Sequence, residues 1–137
     1  MTDAPLTLWI VEWDTPPIDA HHDPRSDYAE HFWLPAIGPT CLWLLRHLVR
    51  EFERAPDGFM LDTHETALLL GVSPKGKAGG GVPRALHRLV RFHLAAQMFG
   101  GYAVRRRLPL LPGHQLRRLP AVLQERHAAL GRGRMPT

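Results

Sequence analysis

The chain has one cysteine, Cys41, and no asparagine in 137 residues. A single cysteine excludes an internal disulfide framework and a cysteine-rich zinc site. No apolar run approaches the ~20 residues that a membrane helix needs, so no membrane contact is expected. Residues 1–10 lack the basic region of a secretory signal, and a cytoplasmic location is the expectation. Lysine is scarce as well, with two against 15 arginines, a bias of GC-rich coding. The most telling absence is of acids. Between Thr66 and Gln124 there is no acidic residue, against ten bases.

What is present suits one domain of ordinary composition, 45% hydrophobic and 22% charged. A chain of this length buries roughly 70% of its unfolded surface, so its core needs no staples. The net charge of +4 is a balance of two unlike parts. Residues 1–37 sum to −6 and residues 38–137 to +10. A long basic stretch without acids is the footprint of a surface that meets polyanions. A solvated, arginine-rich exterior is the plainer alternative.

Leu6 to Trp13 is β-branched and aromatic and reads as a short strand, ended by Pro16 and Pro17. Residues 14–27 read as a polar loop or arm. Ser26 and Asp27 then cap a short helix through Tyr28, Phe32 and Trp33, limited by Pro35. A longer helix opens at Gly38-Pro39, with proline at its first position. Ile37 and Leu42 stand as a hydrophobic staple, and Leu42, Leu45, Val49 and Phe52 form a core stripe. Ala55 to Gly58 is a turn, and Phe59 to Leu61 a short strand. Asp62 and Glu65 have the spacing of a capping box, with Asp62 or Thr63 as N-cap, and the helix they open ends at Gly71.

A glycine-rich basic connection, 72–81, leads to a helix that begins near Pro83. Leu86, Leu89, Val90 and Leu94 face inward by spacing. Arg84, Arg88 and Arg91 fall on one outward stripe with His87 beside it. Gly100-Gly101 marks a hairpin between 97–99 and 102–104. Arg105, Arg106 and Arg107 extend its second strand. A last helical region holds Leu116, Leu119, Val122, Leu123 and His127, restarted at Pro120, and residues 131–137 are expected to fray.

The order is helix, strand, short helix, turn, helix, hairpin. In Glu65 to Ser73 and on through Pro83 to Arg107, the sequence resembles the winged helix-turn-helix family. Trp33 to Thr40 is similar to the entry into winged helices of bacterial replication-initiator and primosomal proteins. The fold class expected is therefore mainly α with a small β-hairpin, a winged helix-turn-helix. The expected divisions are an acidic arm (1–32), the winged domain (33–111) and a C-terminal helical extension (112–137). The turn between the two motif helices is longer than the usual three to four residues.

The resemblance implies double-stranded DNA as partner, with the second motif helix in the major groove and the wing on the backbone. It places Arg84, His87, Arg88 and Arg91 at bases or phosphates. Lys75 and Lys77 would reach phosphates from the turn, and Arg105, Arg106 and Arg107 would lie on the wing. A small transcriptional regulator or replication accessory factor is the function implied. The alternative is a protein-interaction module on the same scaffold. Its acidic arm, 1–37, would meet a protein partner or shield the chain's own basic face.

Other motifs argue for less. Gly71 to Ala78 nearly spells a P-loop, but Ala78 stands where a hydroxyl must hold magnesium. His21, His22, Asp23 and His31 lack metal-ligand spacing, so no metal and no cofactor are expected. Cys41 reads as a small buried hydrophobe. No nucleophile or carboxylate pair supports an enzyme. Trp33 and Trp43 are expected in the core. Trp9 and Trp13 share one strand face and suit an interface such as a homodimer contact.

Overall fold

The computed structural model describes residues 6–13, 22–75 and 80–131. Its strands are β1 (Thr7–Glu12), β2 (Phe59–Asp62), β3 (Ala95–Met98) and β4 (Gly101–Val104). Its helices are α1 (Leu34–Ile37), α2 (Pro39–Arg54), α3 (Thr63–Leu70), α4 (Gly81–Arg91), α5 (Gly113–Leu116) and α6 (Ala121–Gly131). The molecule is mainly helical, with one open sheet of four strands in the order β2-β1-β4-β3. That sheet is larger than the expected hairpin.

The helices form where apolar spacing and end signals agree. α2 begins at Pro39, and Cys41, Leu42, Leu44, Leu45, Leu48, Val49 and Phe52 bury one face of it. Asp62 caps α3 by accepting the Glu65 N–H at 3.0 Å. Gly71 closes α3 in the left-handed region at φ +73°. A Cβ at Gly80 would run into the Pro74 backbone, so glycine is required just before α4. Val82, Ala85, Leu86 and Leu89 then bury the inner face of α4.

The stretch expected as an arm supplies a central strand. β1 pairs antiparallel with β2 and parallel with β4. Tyr28, Ala29 and Phe32 join the core from the same stretch. Residues 14–21, with most of the loop expected at 14–27, lie outside the described residues, as do 132–137.

Three sequence expectations are corrected. Pro35 does not stop the helix it sits in. A π-helical turn, Ala29–Trp33, precedes α1, with the Leu34 N–H bonded to the Ala29 carbonyl. Pro35 then falls in the first turn of α1, where its missing N–H costs little. Trp43 is not core: it is 50% exposed. It sits opposite the buried face of α2, under the Arg46 guanidinium, 5.4 Å from its ring centre. The hairpin turn is Phe99-Gly100, and Gly101 belongs to β4. A Cβ at Gly101 would overlap the Trp9 backbone, so glycine lets β4 lie against β1.

Candidate nucleic-acid interface

α4 carries the side chains expected to read DNA, and the structure divides them. Arg84, His87 and Arg91 are exposed. They follow i, i+3 and i+7 spacing and so share one side of the helix. Arg88 leaves that stripe. Its Nε–H donates to the Ile37 carbonyl at 2.9 Å, and its terminal nitrogen reaches the Ala36 carbonyl at 3.4 Å. Its guanidinium lies 5.3 Å from the centre of the Phe92 ring. Arg88 therefore serves the open end of α1, whose last carbonyls lack helical partners.

An open cleft of about 920 Å³ runs between α4 and the start of α2. Arg84, His87, Arg88 and Arg91 line one side, and Gly38, Pro39 and Thr40 the other. No acidic residue is among its lining residues. The positive end of the α2 dipole adds to the same sign of potential. The cleft is therefore suited to an anion in sign.

The arginine run is used differently from its neighbours on α4. β4 ends at Val104, so Arg105, Arg106 and Arg107 stand at the base of the hairpin, away from its Phe99-Gly100 tip. The hairpin from Ala95 to Val104 has no charged residue. The Arg105 Nε–H donates to the His93 carbonyl at 2.9 Å, and its guanidinium lies 4.0 Å over Trp13. Burial lowers the pKa of Arg105 from its ordinary value. Arg106 pairs with Glu12 at 3.6 Å. Arg107 is exposed. The chain turns away here because Leu108 bridges to His22, their backbones exchanging bonds of 2.7 and 3.1 Å. Lys75 is exposed, and Lys77 lies outside the described residues.

Two surface features lie outside the residues expected at the interface. Arg118 lines a smaller cleft with Arg88, Phe92 and Pro35. Its signal was membership of the acid-free stretch. Phe99 is fully exposed at the hairpin tip, which no periodicity announces.

The remaining candidates fall where packing explains them. Cys41 is buried, and its thiol donates to the Ala85 carbonyl at 3.6 Å. Burial pushes its pKa up to about 11. His22 stacks on Tyr28 with ring centres 4.0 Å apart. His21 lies outside the described residues. Among the described residues, no cluster of histidine, cysteine and acids could hold a metal ion. No described helix is long and apolar enough to cross a membrane.

Compared with known proteins, the chain matches no family model, no curated protein and no solved structure.

Proposed function

We propose that this small mixed α/β domain binds double-stranded DNA in the manner of a winged helix. In this reading α3 and α4 are the motif pair, and α4 enters the major groove. Arg84, His87 and Arg91 meet base edges and phosphates, since arginine can pair bidentately with guanine. Lys75, Arg107 and Arg118 flank the duplex and contact phosphates. Arg88 holds the reading helix in place rather than reading. Arg105 and Arg106, already engaged with the fold, add positive potential more than contacts. The observation that carries the proposal is the exposed cationic stripe of α4 beside an acid-free cleft.

A protein-docking role is the competing reading. It is favoured by Leu68 and Leu69 on α3, which are 60% and 66% exposed.

Fluorescence anisotropy against random-sequence duplex DNA across a salt series separates the two. DNA binding through several phosphates gives a slope of log affinity against log salt of about −4 or steeper. Changing Arg84 and Arg91 together to alanine should reduce that slope by about 2. No binding at low salt, or a slope unmoved by that pair, overturns the proposal.

A further inference from the structure

We infer that the outer face of the sheet docks a second copy of this chain, face to face. Strand alternation puts Thr7, Trp9 and Val11 on the side opposite Ile10, which is fully buried. The register carries this side across the sheet. Met60, Trp9, Gly101 and Met98 form one row over all four strands. Val11, Ala103 and Ala96 form the next. Trp9, Met60 and Met98 are 37%, 57% and 39% exposed, and Phe99 stands fully exposed at the adjoining hairpin tip.

A sheet with one face on the core normally turns polar residues outward. Here two successive outward rows are apolar. Such a patch marks an interaction site. It also has the anatomy of an interface, an apolar centre inside a polar rim.

The rim argues for the occupant. One end of the face carries Asp62, paired with Thr7. The other end carries Arg105, stacked on Trp13. A two-fold axis across this face sets its uncharged rows against their own copies and leaves both charged ends, already bonded within their own chain, at the rim. The uncharged centre then meets itself without like-charge cost. DNA is a poor occupant, because the rows between Asp62 and Arg105 offer no cation.

The area is adequate too. A large aromatic side chain can bury roughly 150–250 Å². Phe99, Trp9, Met60 and Met98 together offer on the order of 500 Å² per copy. The neighbouring rows and rim extend this toward the roughly 800 Å² per partner of a stable complex. The inference stands apart from DNA binding, since its test contains no DNA.

The test is sedimentation equilibrium of the full chain from about 1 to 100 μM, a range that captures micromolar association. The expected result is a reversible dimer. Met60→Glu and Met98→Glu should each weaken it at least tenfold. Leu69→Glu, more exposed than either methionine but on α3, should leave it unchanged. Circular dichroism and Tm should show each variant folded. If a glutamate variant unfolds, Phe99→Ser decides instead, because its side chain is outside the core, and it too should weaken the dimer. A monomer across the whole range overturns the inference. So does a dimer that the folded sheet-face variants leave intact.

Discussion

The Arg88 guanidinium donates to the Ile37 carbonyl at 2.9 Å, tying α4 to the end of α1. A charge-assisted bond of this kind contributes about 1.5–3 kcal/mol. Arg88→Ala should lower unfolding stability by about that amount in urea titration. Arg84→Ala and Arg91→Ala, at exposed positions, should stay within about 0.5 kcal/mol. The same three variants should separate in the opposite sense in DNA binding. Loss of salt slope belongs to Arg84 and Arg91. Equal stability losses for all three would refute this division of the stripe.

The division also shows what a sequence can and cannot tell. The helices of the core were legible because period and end signals are local. Leu42, Leu45, Val49 and Phe52 gave the buried face of α2. Asp62 and Gly71 gave both ends of α3. The fate of Arg88 depended on where α1 stopped, a relation across 51 residues. Arg105 likewise met Trp13 only because β1 inserts between β2 and β4. The Leu6 to Trp13 strand was visible in composition, but its central place was not. Strand pairing is a long-range property, and spacing within one segment carries no record of it.

Gly101 permits that insertion, because β4 runs directly against the backbone of Trp9. Gly101→Ala must push β1 and β4 apart at the centre of the sheet. Its cost should be about 3 kcal/mol or more, in the range of severe overpacking. Gly100→Ala makes a useful contrast. That residue has φ +79° but nothing within 4 Å of a Cβ. Only the left-handed strain of about 1–2 kcal/mol should appear. Thermal unfolding of both variants checks the order, and a milder Gly101→Ala would mean that the strands can separate cheaply.

Cys41 should behave as an inert thiol. Its pKa, pushed up to about 11 by burial, leaves little thiolate near neutral pH. A colourimetric thiol reagent should label it slowly in native buffer and rapidly once urea unfolds the chain. The linkage sign follows from the raised value. The folded pKa exceeds the ordinary 9.0, so this group's stabilisation is intact below about 9. It is lost as pH rises through about 11. Fast labelling of the folded chain would show that the α2–α4 contact opens readily.

The C-terminal helix α6 is held to the core through His127 and Tyr28. The Tyr28 hydroxyl accepts the Leu111 N–H at 2.8 Å and meets His127 Nε2 at 2.7 Å. The hydroxyl still has its own proton to give, and a neutral imidazole protonated on Nδ1 can accept it at Nε2. Burial lowers the His127 pKa below its ordinary 6.5, in the same direction. The unfolded chain therefore binds this proton more readily than the folded one. Stabilisation from the pair is complete above about pH 6.5 and is lost as pH falls through the folded value. Burial also lowers His47, so it adds to the same slope. His127→Gln should flatten the fall in Tm between about pH 8 and pH 5 without abolishing it. Tyr28→Phe should cost about 1–3 kcal/mol at neutral pH, because it strands the buried Leu111 N–H. If His127→Gln keeps the full pH dependence of the native chain, α6 is not held by this imidazole.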